Sequence, residues 1–103
     1  MELHRKKRIE IIIERVVARQ LTDVLDRAGV QGYTVFPAQG GRGQDGVWDR
    51  NGLVSAAGHM VAIVCILDPS RLDDTLEQIY SVVERQIGIV AISDVEVIRS
   101  DHF

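Results

Sequence analysis

With 103 residues and a mass of 11.5 kDa, the chain supports one modest core, which excludes a multi-domain organisation. Apolar residues make up 46% of it and charged residues 26%, with only two prolines, a composition that folds and is neither disordered nor fibrous. A net charge of −3 and a pI of about 5.5 argue against general binding of nucleic acid or anionic membranes.

The run Arg5-Lys6-Lys7-Arg8 reads as a solvated lead-in to a strand rather than a polyanion-binding arm. Residues 8–14 alternate, with Ile9, Ile11 and Ile13 on one side and Glu10 and Ile12 on the other, the period of a first strand. Ile11-Ile12-Ile13 is bracketed by Glu10 and Glu14, and no window approaches the ~20 apolar residues of a spanning helix. Neither a signal peptide nor membrane insertion is therefore expected, and the location is read as cytoplasmic. From Arg15 to Ala28 the apolar residues Val17, Leu21, Val24, Leu25 and Ala28 fall at helical spacing, and Gly29 stands where a left-handed cap is cheapest.

Gly32-Tyr33-Thr34-Val35-Phe36-Pro37 is rich in strand formers and ends at a proline, which predicts a second strand. Met60 to Leu67 is a nearly continuous apolar run, the pattern of a central strand buried on both faces. Cys65 within it is the only cysteine, so an internal disulfide is impossible and a reducing compartment fits. Asp68-Pro69-Ser70 opens a second helix, with Leu72, Leu76, Ile79, Tyr80 and Val83 at helical spacing. Asp73, Asp74 and Glu77 complement its dipole on a solvated face, and Gly88 is expected to end it. Ile89 to Ile92 and Val95, Val97 and Ile98 supply a last strand, or a strand pair broken near Ser93-Asp94.

The order β-α-β-loop-β-α-β predicts an α+β, ferredoxin-like βαββαβ sandwich: one domain over 1–103, an antiparallel sheet, and both helices on one face. Yet Ile12 lies opposite Ile11, and Val64 and Ile66 lie opposite Ile63 and Cys65. Apolar side chains on the face without helices need a cover that so short a chain cannot supply. The expectation is an oligomer joined through its sheets with cyclic symmetry.

About twenty residues without apolar periodicity separate Pro37 from Gly58, and six of the nine glycines fall there: Gly40, Gly41, Gly43, Gly46, Gly52 and Gly58. A loop of this length in a compact domain is usually functional or disordered. In Gln39-Gly40-Gly41-Arg42-Gly43 the glycines allow successive amides to face one concavity, and Arg42 adds a forked cation, a combination suited to an anion. A plain hairpin without a ligand is the competing reading. The segment is neither a Walker A loop nor a G-x-G-x-x-G fingerprint. His4, His59 and His102 are too scattered for a zinc site. Asp45, Asp49 and Arg50 read as solvated loop residues, whereas Trp48 beside them suits a partner contact.

Gly29-Val30-Gln31-Gly32-Tyr33-Thr34-Val35-Phe36-Pro37, followed by Gly40-Gly41-Arg42-Gly43 and Trp48, resembles the PII-like signalling proteins of the nitrogen regulatory PII superfamily, most closely their carboxysome-associated branch. Asp94-Val95-Glu96-Val97-Ile98-Arg99 is similar to the last strand of that superfamily, and the resemblance covers nearly the whole chain. It implies a homotrimer with adenine nucleotide in the clefts between subunits and, for this branch, ADP or AMP bound together with bicarbonate. The loop at 37–58 would be the T-loop, signalling inorganic-carbon and energy state to a regulated protein, for which a bicarbonate transporter or a carboxysome component are candidates. No catalytic residue, obligatory cofactor or metal is implied.

Carried over residue by residue, Gly40, Gly41, Arg42 and Gly43 match the T-loop portion near the anion, here bicarbonate. Gly32, Tyr33 and Thr34 match the strand entering that loop, and Gly88, Ile89 and Val90 match the B-loop side of the cleft. Arg99 matches a basic residue of the last strand that would face nucleotide phosphate, and adenine would rest near Gly29 and around Ile63, Val64 and Cys65. The chain also departs from the pattern. Glu84-Arg85-Gln86-Ile87-Gly88 is shorter than the standard B-loop and lacks its lysines, which implies ADP or AMP rather than ATP. The long loop has no tyrosine for uridylylation, and His102-Phe103 stands without a two-cysteine tail. Two other classes stay open. One is a small acyl-phosphate-type hydrolase, for which Asn51 is the only asparagine available to orient water. The other is a non-catalytic structural oligomer.

Overall fold

In a computed structural model that describes residues 1–43, 46–49 and 59–99, the first isoleucine stretch is a strand, β1, spanning His4–Glu14. It starts earlier than the alternation alone predicts, and the basic run lies inside it rather than leading into it. Pairing is the reason: Lys6 Nζ stands 3.4 Å from Asp68 Oδ1, Lys7 Nζ 2.5 Å from Asp94 Oδ1, and Arg8 Nη2 3.0 Å from Glu10 Oε2. Cations that each meet a carboxylate can line a strand without repelling one another.

The first helix, α1 (Arg15–Arg27), buries Val17, Leu21, Val24 and Leu25. It ends as predicted at Gly29, whose φ of +76° is left-handed. The Gly29 amide donates to the Asp26 carbonyl and the Val30 amide to the Leu25 carbonyl, both at 3.1 Å, the paired bonds of a Schellman cap. There follow β2 (Tyr33–Pro37), β3 (Gly40–Gly43), β4 (Gly46–Asp49), β5 (Met60–Leu67), a 3-10 turn (Pro69–Arg71), α2 (Leu72–Val83) and β6 (Gly88–Val97).

β2, β5, β1 and β6 form one sheet in that order, every neighbouring pair antiparallel. This is the ferredoxin-like arrangement, with a small β3–β4 hairpin inserted between its second and third sheet strands. Ile9, Ile11 and Ile13 of β1 and Val61, Ile63, Cys65 and Leu67 of β5 form one core with the buried faces of α1 and α2. Each fully buried aliphatic side chain there contributes about 1.5–3 kcal/mol.

One expectation is corrected and one open alternative is decided. Gly88 does not end the second helix, which stops at Val83 with Glu84 as its cap; it opens β6, where a Cβ would lie 2.6 Å from the Ile12 carbonyl oxygen. β6 is also one continuous strand rather than a broken pair, since Ser93 and Asp94 stay in register with Arg8 and Lys7 and the Lys7 ammonium holds the Asp94 carboxylate. That hydrogen bond, followed by the charge of Lys7, keeps the Asp94 carboxyl below its ordinary range.

Candidate functional site

The core isoleucines fix which residues share the other face of the sheet. Opposite them the register aligns Phe36, Ala62, Ile12 and Ile89 in one row across all four strands. The next row is Thr34, Val64, Glu10 and Ala91, and beyond it Ile66, Arg8 and Ser93 lie side by side. Among the described residues no helix covers this face. Phe36 is 51% exposed and Ile89 61%, and Ile12, Ala62, Val64 and Ile66 are half-buried. A contiguous apolar surface of this kind marks association, as the sequence pattern anticipated.

The candidate nucleotide residues divide between the two edges of the sheet. Tyr33 and Thr34 lie on edge strand β2, where Thr34 faces Val64 and Tyr33 faces Cys65. Gly88, Ile89 and Val90 lie on the opposite edge strand, β6, beside Ile13, Ile12 and Ile11. Three strand spacings, about 14 Å, separate the two groups. A single chain therefore presents two partial surfaces, and a cleft using both needs the β2 edge of one copy near the β6 edge of another.

Within these groups the residues differ in what they can offer. Ile63 is fully buried and Cys65 is 2% exposed, so their side chains belong to the core beneath the helices. Burial by itself pushes the Cys65 thiol up to about 11. Of the three adjacent β5 candidates, Val64 alone faces the open side. Val90 lines a separate apolar groove of about 460 Å³ between α2 and β6, with Leu76, Ile79 and Tyr80 among its walls. Gly32 has open space where a side chain would stand. Arg99 is exposed just beyond the end of β6.

The long loop holds more order than its sequence suggests. Gly40–Gly43 and Gly46–Asp49 pair as an antiparallel ribbon, with Arg42 opposite Val47 and Gly41 opposite Trp48. The concave nest expected of Gly40, Gly41 and Gly43 is corrected: all three are extended, and in this ribbon only Gly46, with φ +109°, is left-handed. Alternate amides of β3 are committed to the ladder, leaving the exposed Arg42 side chain and the outward-facing amides for an anion. Asp45, Arg50, Asn51, Gly52, Gly58 and His102 lie outside the described residues.

One arrangement gave no sequence signal. The Arg71 guanidinium, in the turn before α2, donates through Nη2 to the Ala28 carbonyl at the end of α1. A cation at a helix C-terminus is favourable, but the two residues are 43 positions apart, beyond any local pattern. Asp68, at the start of the same turn, accepts from Ser70 at 2.5 Å and from Lys6; those bonds, Ser70 first, hold its carboxyl below the usual value. Among the described residues no group of three His, Cys, Asp or Glu side chains could hold a metal. No helix among them is long and apolar enough to cross a membrane.

Against known proteins, the profile of the family "Nitrogen regulatory protein P-II" matches residues 6–102. No curated protein matches. Among solved structures, the chain is similar to CPII, a nitrogen regulatory PII-like protein from Thiomonas intermedia, in a form bound to ADP, AMP and bicarbonate. Identity is 29%, coverage 99% of this chain and 96% of that one, and the TM-score 0.87. A second form of CPII, bound to ADP and bicarbonate, matches at 30% identity over 99% and 97% of the chains with a TM-score of 0.85. A putative PII-like signalling protein from Thermus thermophilus shares the fold at 23% identity, with a TM-score of 0.76 over 98% and 97% of the chains.

Proposed function

The chain belongs to the nitrogen regulatory protein P-II family, and on that premise we propose that it is a regulatory sensor of adenine nucleotide, ADP or AMP, and of bicarbonate. The observation that carries the proposal is the division of the candidate surface between opposite sheet edges, which makes a nucleotide cleft a property of neighbouring copies. Three copies in a ring cover the apolar open faces and bring each β2 edge to a β6 edge. Gly29, Gly32, Tyr33, Thr34 and Val64 then supply one wall, with the backbone of Ile63 and Cys65 behind it. Gly88, Ile89 and the backbone of Val90 supply the other, and Arg99, permanently cationic, faces phosphate.

CPII structures holding ADP, AMP and bicarbonate support the choice of ligands. Arg42, with those amides of Gly40, Gly41 and Gly43 that face away from the ladder, is assigned to bicarbonate. Regulation is by linkage: a ligand that favours one arrangement of the 37–58 segment shifts its population and presents or withdraws Trp48 and its neighbours to a partner. Action on a carboxysome component or a bicarbonate transporter is the narrower form of this reading. It works by binding, without turnover.

Calorimetric titration of ATP, ADP and AMP, each with and without bicarbonate, tests the proposal on protein of measured oligomer mass. The expected result is binding of ADP or AMP with an affinity that bicarbonate changes. Arg42→Ala should abolish the bicarbonate effect and leave the oligomer intact. A folded oligomer that binds no adenine nucleotide would refute the sensor reading, and release of phosphate from an acyl phosphate would favour the hydrolase.

A further inference from the structure

We infer that Arg71 is a positioning residue for the nucleotide surface on the β2 edge, acting by tying together the two connections that frame it; the inference rests on the proposed function above. The α1–β2 connection, residues 28–32, leads directly into Tyr33 and Thr34. The β5–α2 connection begins one residue after Leu67, at the same end of the sheet, because β2 and β5 run antiparallel with Tyr33 opposite Cys65. Arg71 crosses from the second connection to the first and donates to the Ala28 carbonyl, which stands where a helix runs out of amides of its own to offer its last carbonyls.

Gly29 is shaped around this contact. A Cβ on it would stand 2.8 Å from Arg71 Nη2, so the absence of a side chain serves both the left-handed turn and the approach of the guanidinium. Arg71 is itself held: its amide donates to the Asp68 carbonyl at 3.0 Å, and the Asp68 side chain is anchored by Ser70 and by Lys6 of β1. The chain of contacts runs from β1 through Asp68 and Arg71 to Ala28, and so to the segment that opens β2. Gly32, where a Cβ would meet nothing within 4 Å, lies beyond the last of these ties. Loss of Arg71 leaves the connection to the cap bonds of Gly29 and Val30, without its tie to the β5–α2 connection, so the bound state must order a segment that the intact protein holds ready, and affinity falls.

The test measures ADP affinity by calorimetry in the wild type, Arg71→Gln and, as a control that removes a surface ion pair between β1 and β6 instead, Lys7→Gln. Measurements are made well below the melting temperature, where a change in global stability alone leaves Kd unmoved. Arg71→Gln should weaken ADP about threefold to tenfold, the range expected for one charge-assisted hydrogen bond near the surface. It should also speed amide exchange over residues 28–34 with the oligomer mass unchanged. Arg71→Lys should recover part of the loss, and Lys7→Gln should bind as the wild type does.

Unaltered ADP affinity in Arg71→Gln overturns the inference while leaving the sensor reading in place. A wild type that binds no adenine nucleotide overturns the sensor reading, and the Arg71 inference with it. If Arg71→Gln does not assemble, the wild type still decides: ADP must slow exchange in both 28–34 and 68–72, and protection confined to other segments refutes the tie.

Discussion

Gly88 shows how one residue can be noticed in a sequence for the wrong reason. A glycine after an amphipathic helix suggests a cap, yet here its use is steric: β6 meets β1 so closely that a Cβ would stand 2.6 Å from the Ile12 carbonyl oxygen. Gly88→Ala should cost about 1–3 kcal/mol, as overpacking against backbone does, and lower Tm by several degrees in a thermal melt. Gly29 was legible because its turn is local; Gly88 was not, because the backbone it meets lies near the other end of the chain. Cys65 offers a second check at this scale. Burial pushes its thiol up from the ordinary 9.0 to about 11. The folded state therefore holds the proton more tightly, and the stability this gives is complete below pH 9 and lost as pH rises toward 11. Cys65→Ala should show a flatter alkaline limb than the wild type in denaturant midpoints measured from neutral pH up to the folded-state value. An unchanged limb would mean that the thiol is not shielded as its burial implies.

Among elements, β1, α1, β5 and α2 were readable from periodicity because each buries one regular face in the same core. The β3–β4 ribbon was not, because Gly40-Gly41-Arg42-Gly43 has no apolar alternation to announce a strand; pairing with Gly46–Asp49 makes it one. Neither strand packs appreciably on the sheet or the helices, so the ribbon should be a unit of low local stability. Gly46, at φ +109°, gives the sharpest test. Gly46→Ala should speed amide exchange within 40–49 while the global melting midpoint moves by no more than the equivalent of about 0.5 kcal/mol. A large fall in Tm would mean that the ribbon is built into the core of the assembly. The same independence suits a segment proposed to change arrangement with ligand: its strands can shift without disturbing Ile9, Ile11 or Ile63.

At the scale of the whole molecule, the sequence pointed to an assembly before any ligand entered the argument. Apolar residues on both faces of β1 and β5 were visible in one line of text, and the register then placed Phe36, Ala62, Ile12 and Ile89 in a single row on the side without helices. The ligand surface was harder to read. Its proposed halves sit on β2 and β6, at the two ends of the strand order, and no spacing along a chain reveals that two copies must meet for both to be used. Assembly and binding should consequently fail together. Val64→Glu places a second carboxylate directly opposite Glu10 on the open face, where like charges buried together in an interface are strongly unfavourable, while the helix-covered core is untouched. Light scattering should show the mass falling from that of three chains toward the 11.5 kDa of one, with the far-ultraviolet circular dichroism retained and ADP binding lost. Because Val64 is itself assigned to the nucleotide wall, Ile12→Glu, in the neighbouring row and outside that wall, should do the same. If Ile12→Glu becomes a folded monomer that still binds ADP with wild-type affinity, the cleft lies within one chain and the division between sheet edges has been misread.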